Sequence, residues 1–253
     1  MKTSIIAPVG MSPPIITEFV EYIAKVEGKF VSDVVLLITD TKEVKECAEL
    51  AVSALEVNYS NIHTHWVELP FSDISSTEEH IRFMKICLNW IKKEKTEHGC
   101  DYVYLNIAGG RKDMCASLAL LGSWEDVDGI FHIICPEINV MNTKLERMRK
   151  DIEEHYKAEN LTEFYRKHRE EFDELMFPPP ESYNVIRIPY FPFPKKELEK
   201  IIDLLRIGKA VSTIDVEIDR ISLKMLEKAG LIRISGKTTY PTTLGLNVGK
   251  IWE

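Results

Sequence analysis

Residues Ser32–Thr39 read S-D-V-V-L-L-I-T, a β-branched and aliphatic run with almost no polar alternation. A strand that is apolar on both sides has to be covered on both sides, which helices flanking a parallel sheet achieve. Ser4–Val9, Tyr102–Ile107 and Ile130–Cys135 are further short apolar runs, and Ile62–Leu69 alternates like a strand. Between them lie segments of helical period. Pro14–Val26 carries Ile15, Ile16, Phe19, Val20 and Ile23, and Lys42–Val57 carries Val44, Cys47, Ala48, Ala51 and Leu55 on one face. Thr77–Glu97 is a long helix with Thr77 as its expected N-cap, and Asp113–Leu121 is a small-residue helix closed by Gly122 as a C-cap. Five such units predict an α/β fold, a doubly wound Rossmann-like parallel sheet with helices on both faces.

Two departures from this alternation divide the rest of the chain. Residues 141–176 are charged and read as a helical insertion of two helices, Asn142–Tyr156 and Leu161–Leu175. It is either a solvated surface with i,i+4 ion pairs or a lid that carries a basic residue over a ligand. After Phe177-Pro-Pro-Pro180, a last strand is expected at Asn184–Ile188, and the Pro/aromatic stretch Pro189–Pro194 marks a boundary. The expected domains are 1–190 and 191–253. The second reads as helix, short strand, helix, two-stranded wing and closing helix, the layout of a small C-terminal winged helix. Its second helix, with Asp219, Arg220, Ser222, Lys224, Glu227 and Lys228, is mixed in charge. DNA binding and a dimerising or bracing role both stay open for it.

Composition narrows the function classes. The net charge is −8, yet residues 195–253 hold 11 Lys/Arg against 8 Asp/Glu, while residues 1–194 hold 21 against 32. The large acidic part is therefore not a general nucleic-acid surface, and any polyanion site on it must be a local pocket. No apolar run approaches a membrane span, and the N-terminal apolar stretch is too short for a signal-peptide core. Five scattered cysteines without a C-x-x-C pair fit buried thiols in a cytoplasmic protein. His63 and His65 would share one strand face, but spacing offers no third ligand, so no metal and no cofactor is expected.

In a doubly wound sheet, ligands bind beyond the carboxyl ends of the strands where the winding reverses. For strand order 3-2-1-4-5, that places two unusual loops side by side: Pro8-Val9-Gly10-Met11-Ser12-Pro13-Pro14 and Ala108-Gly109-Gly110-Arg111-Lys112-Asp113. Gly10, Gly109 and Gly110 permit tight turns and close backbone approach. Ser12 offers a hydroxyl, Pro13-Pro14 pre-sets a helix start, and free N–H groups at that start would suit an anion. Arg111 supplies a planar donor fork and Lys112 a point charge for phosphate oxygens. The first loop lacks G-x-G-x-x-G, which argues against NAD, and it is not a P-loop, since no Lys-Ser/Thr follows a suitable glycine frame. Taken alone, Gly-Gly-Arg-Lys is also compatible with a plain tight turn.

These loops resemble a known family. Gly10-Met11-Ser12-Pro13, followed by Thr17-Glu18, resembles the first motif of the CRISPR-associated ring nucleases, whose members carry a CARF domain. Asn106-Ile107-Ala108-Gly109-Gly110-Arg111-Lys112-x-Met114 resembles the second, with Asn106 in place of serine. Ala119-Leu120-Leu121-Gly122, His132 and Phe177–Pro180 continue the likeness, which covers about residues 3–190. The resemblance implies a homodimer that binds a cyclic oligoadenylate, most simply cyclic tetra-adenylate, across its two-fold axis. It implies metal-independent cleavage by a ribose 2′-OH. Ser12 would position that hydroxyl, and Arg111 and Lys112 would stabilise the phosphorane. Gly10, Met11, Pro13, Ala108, Gly109 and Gly110 would line the ligand, with Lys167 or Arg166 of the insertion capping it. The competing reading is a sensor that binds the same ring without cleaving it and regulates through DNA.

Overall fold

The structure, a computed structural model, describes residues 1–125, 127–190 and 194–253. Strands β1 (Thr3–Pro8), β2 (Val31–Ile38), β3 (His63–Glu68), β4 (Tyr102–Asn106), β5 (Gly129–Ile134) and β6 (Asn184–Arg187) form one sheet in the order β3-β2-β1-β4-β5-β6. The first five run parallel, and β6 joins antiparallel to β5. Helices α1 (Pro14–Lys25), α2 (Lys42–Asn58), α3 (Thr77–Thr96) and α4 (Lys112–Trp124) make the crossovers. Every residue of β2 is buried. Val34, Leu36 and Ile38 enter one core with α1 and α2, while Val35 and Leu37 enter the other with α3 and α4. The unbroken apolar run of β2 thus feeds two cores, and the doubly wound sheet expected from the sequence is present.

Some local expectations change. The N-cap of α3 is Ser76, whose Oγ accepts the Glu79 N–H, while the Glu79 carboxylate accepts the Ser75 N–H and hydroxyl. Thr77 is the first helical residue instead. Gly122 is not a C-cap: α4 continues to Trp124, and a Cβ on Gly122 would lie 2.7 Å from Ile130 and 2.8 Å from Leu105. Its small size lets α4 sit close on the sheet.

The insertion holds four helices rather than two: α5 (Ile138–Arg147), α6 (Arg149–Tyr156), α7 (Leu161–Lys167) and α8 (Arg169–Met176), with breaks at Met148 and His168. Its inner face is core, since Tyr165, Phe172, Leu175 and Met176 are fully buried against α1 and α2. The outer face carries i,i+4 pairs such as Lys150–Glu154, Lys157–Glu153 and Arg169–Asp173. The insertion is a packed extra layer with a solvated charged surface. Thr17 binds it directly, its hydroxyl lying between the carbonyls of Pro14 and Met176.

The expected linker at Pro189–Pro194 lies partly outside the described residues, at 191–193. Beyond it come α9 (Lys195–Arg206), β7 (Val211–Ser212), α10 (Arg220–Lys228), β8 (Ile232–Ser235), β9 (Thr238–Pro241) and α11 (Thr243–Gly249), with a small sheet ordered β7-β9-β8. Leu204, Leu205, Ile218, Leu223 and Ile232 form its own core. The chain then returns to the larger domain. Ile251 is buried in the α3/α4 core, and Trp252 packs on Trp124 and donates to Glu125 at 3.2 Å.

Two buried titratable groups set opposing pH slopes. Burial raises the Glu18 carboxyl to about 7 and lowers the His155 imidazole to about 4. The Glu18 contribution to stability is complete below the unfolded value near 4.5 and is lost as pH rises through 7. His155 acts the other way, losing stability as pH falls from 6.5 towards 4. Denaturant unfolding of Glu18→Gln should therefore match wild type near pH 4.5 and exceed it by about 2–3 kcal/mol at pH 8. An unchanged difference across that range would mean that Glu18 titrates normally.

Candidate functional site

The winding reverses between β1 and β4, and the two loops leaving those strands touch. A Cβ on Gly10 would come within 2.8 Å of the Gly110 nitrogen, and one on Gly109 would overlap the Pro8 carbonyl oxygen. Gly110 has φ +77°. This backbone-to-backbone contact admits only glycine at these points. Beside it lies a cleft of about 430 Å³ between Val9–Met11 and Gly110–Arg111, with Thr39, Thr41, Glu43 and Val44 completing its lining. A larger groove of about 730 Å³ runs along α5 and α8, but it is a surface trough of mixed charge in which Lys144 is already held by Glu174.

The side chains can be placed one by one. Met11 is exposed, Ser12 half-buried and Pro13 buried at the mouth of α1. Among the described residues, the Ser12 hydroxyl has no hydrogen-bond partner. The α1 start differs from expectation. Pro13 and Pro14 carry no N–H, and the Ile15 and Ile16 amides already bond the carbonyls of Ser12 and Pro13 at 3.3 and 3.2 Å. Two prolines shape this helix start but consume its donors, so α1 offers the anion its dipole rather than free amides. On the other loop, Gly110, Arg111 and Lys112 have no backbone acceptor for their amides among the described residues. Arg111 is the N-cap of α4 and Lys112 its first residue; both are exposed. The Arg111 guanidinium lies 3.5 Å from Asp73 on the loop after β3.

Lys167 is set apart. It pairs with Glu163 at 3.0 Å on the exposed side of α7, and that helix docks on the far end of α2 through Thr162 and Glu56. Among the described contacts none joins it to either loop, because the insertion spends its apolar face on α2.

Three contributors escaped sequence reasoning. Asn106, read only as a replacement for serine, is fully buried; its Nδ2 donates to the Ile15 carbonyl at 3.2 Å and its Oδ1 accepts the Ala108 N–H at 3.0 Å. It bolts the second loop to the first turn of α1. Thr39, Thr41 and Glu43 reach the cleft from the β2–α2 loop, a placement that follows from β2 lying beside β1. Cys115 donates its thiol to the Gly109 carbonyl at 2.9 Å, and burial, then the nearby Asp113 charge, pushes that thiol up to about 11. The sulfur is a neutral brace for the loop and not a nucleophile.

Asn106→Ala should cost about 2–4 kcal/mol in denaturant unfolding, since it strands a buried amide and a carbonyl. Asn106→Ser can restore one of the two bonds and should cost about half as much. Equal stability of all three proteins would show that the bolt carries no energy.

Residues 12–217 match the family model described as CRISPR-associated protein NE0113. No curated protein matches the chain. Among solved structures, Enterococcus italicus Csm6 bound to cyclic hexa-2′-fluoro-hexa-dAMP aligns with 13% identity and a TM-score of 0.47, covering 99% of this chain. The chain spans 54% of that protein, about half its length. With residues 12–217, most of its length, matched by the family model, the chain belongs to the CRISPR-associated NE0113 family.

Proposed function

We propose that this protein is a ring nuclease that binds a cyclic oligoadenylate, cyclic tetra-adenylate in the simplest case, and opens it. The observation that carries this reading is the contact between the Gly10 and Gly109-Gly110 loops beside a cleft that Arg111 lines, with Ser12 and Lys112 next in sequence to its lining residues, in a member of a CRISPR-associated family. Glycine at the contact leaves backbone amides within reach of a phosphate, and the α4 N-terminus adds unengaged N–H groups and a favourable dipole.

The chemistry asks little of the protein. A ribose 2′-oxygen attacks its own 3′-phosphorus, the P–O5′ bond breaks, and the 2′ proton leaves to solvent while the 5′ oxygen gains one. A linear product with a 2′,3′-cyclic phosphate and a 5′-hydroxyl results, with no external nucleophile and no metal in the step. Ser12, whose hydroxyl has no hydrogen-bond partner among the described residues, holds the 2′-OH in line. Arg111 leaves Asp73, an exposed and weak attachment, and with Lys112 stabilises the pentavalent phosphorus.

A four-fold ring fits a two-fold dimer axis, so two copies of the loop pair would face one ligand. In this reading residues 1–190 are a CARF-type domain, 191–253 a winged helix, and Lys167 or Arg166 meets the ring only from the partner protomer. The exposed face of α10 carries Ile221 and Met225 between Arg220 and Lys224. An apolar stripe suits protein contact better than phosphate contact, which favours a bracing or dimerising role over DNA.

Incubation with cyclic tetra-adenylate in EDTA, with products resolved by chromatography, tests the proposal. Linear adenylates ending in a cyclic phosphate are expected. Arg111→Ala or Lys112→Ala should slow cleavage about 100-fold or more, and Ser12→Ala should lower turnover more than affinity. A ring that stays bound and intact would overturn the enzyme and leave a sensor; a ring that neither binds nor is cut would overturn both.

A further inference from the structure

At the opposite end of the sheet, four side chains from three elements converge: Asp33 at the start of β2, His65 on β3, and Glu94 and His98 at the end of α3 and just beyond it. One ligand-type atom from each lies within 4.8 Å of all the others. We propose that Asp33, His65, Glu94 and His98 form a binding site for one divalent transition-metal ion of the zinc class, which locks α3 to the amino-terminal ends of β2 and β3. The site is separate from the cleft and independent of the reaction proposed for it.

The local structure explains the convergence. Glu94 and His98 are four residues apart, so they project on one side of α3, and His98 Nδ1 lies 2.9 Å from Glu94 Oε1. Asp33 and His65 sit on adjacent strands, on the face that α3 covers, with His65 Nε2 2.9 Å from Asp33 Oδ1. Both carboxylates are buried, Glu94 at 0% and Asp33 at 4% exposure. Among the described residues neither pairs with a lysine or arginine. Two buried carboxylates this close call for a positive charge or several donors between them.

The two histidine rings stack at 4.6 Å and 18° beside the carboxylates. As neutral imidazoles they are good ligands, and two nitrogens with two carboxylate oxygens form a donor set that suits zinc-class ions. Zinc bonds near 2.1 Å give tetrahedral ligand separations of about 3.4 Å, so side-chain rotations suffice to close the observed spread. The Cys100 thiol, 3.5 Å from Asp33 Oδ2 and 3.6 Å from Glu94 Oε2, is positioned to donate its single proton to one of the two carboxylates behind the site. The rim is only partly open, with both histidine side chains less than a quarter exposed and Trp90 against both rings.

This placement revises the two-histidine idea drawn from the strand alternation. His63 and His65 share a face, but His63 is exposed at the strand start, and the partner of His65 comes from α3.

The test uses the full chain, purified without a histidine tag and stripped with chelator, then titrated with Zn²⁺ alone. One equivalent per chain is expected by competition against a chromophoric chelator, with a change in tryptophan fluorescence that Trp90→Phe removes. The melting temperature should rise by about 5 °C at a hundredfold excess over Kd. His65→Ala and His98→Ala should each weaken binding by more than about 100-fold, since even changes behind the ligands cost about 10–100-fold, while His63→Ala should not. Uptake well below one equivalent by folded protein, or uptake unchanged in His65→Ala and His98→Ala, would overturn the site. Should those variants fail to fold, Co²⁺-loaded wild type decides: intense visible bands of a four-coordinate ion support the site, and the pale spectrum of an octahedral one overturns it.

Discussion

Burial of β2 on both faces requires a helix layer on each side of the sheet, and right-handed crossovers can supply two layers only by reversing the winding once. Here the reversal falls between β1 and β4, the strands whose following loops carry Gly10 and Gly109-Gly110. The cleft is thus a by-product of two-sided burial. Val35 and Leu37 look towards α3 and α4 while Val34, Leu36 and Ile38 look towards α1 and α2, and that division decides where the sheet leaves a gap at its edge.

The cleft is built from backbone held by buried side chains, with charges added at the rim. Asn106 ties the second loop to α1, Cys115 holds the Gly109 carbonyl, and Thr17 joins α1 to the insertion. Arg111 and Lys112 stand exposed at the head of α4, with Asp73 and Glu43 nearby. The chain therefore offers a braced floor and exposed cations over a modest local charge. In the dimer proposed above, a second copy would double the cations over a single polyanion.

The two ends of the sheet differ in chemistry. At the carboxyl ends, glycine loops and the α4 N-terminus leave backbone amides unengaged among the described residues. At the amino ends, the start of β2, β3 and the end of α3 gather two buried acids and two stacked histidines. The same α3 carries Phe83, Leu88 and Ile91 into the core and also receives Ile251 and Trp252 from the end of the chain, on a core shared with α4. Anchoring its last turn would steady the base on which the C-terminal unit rests.

Local patterns in the sequence were enough for the strand–helix alternation, the sheet order and the placement of the Gly10 and Gly109-Gly110 loops at the reversal, because apolar period and glycine are signals carried by neighbouring residues. The exact cap of α3 and the role of Gly122 were less legible, since each depends on a contact a residue or a strand away. Only the tertiary structure decided that Asn106 is a bolt, that the α1 start is left without free amides, that Lys167 is turned onto α2's side of the molecule, and that His65 meets His98 and not His63. Apart from the local proline turn, those outcomes rest on pairs 32 to 106 residues apart, such as His65 with Asp33, Asn106 with Ile15 and Thr162 with Glu56, brought within hydrogen-bond distance by strand register and helix packing that no local pattern encodes.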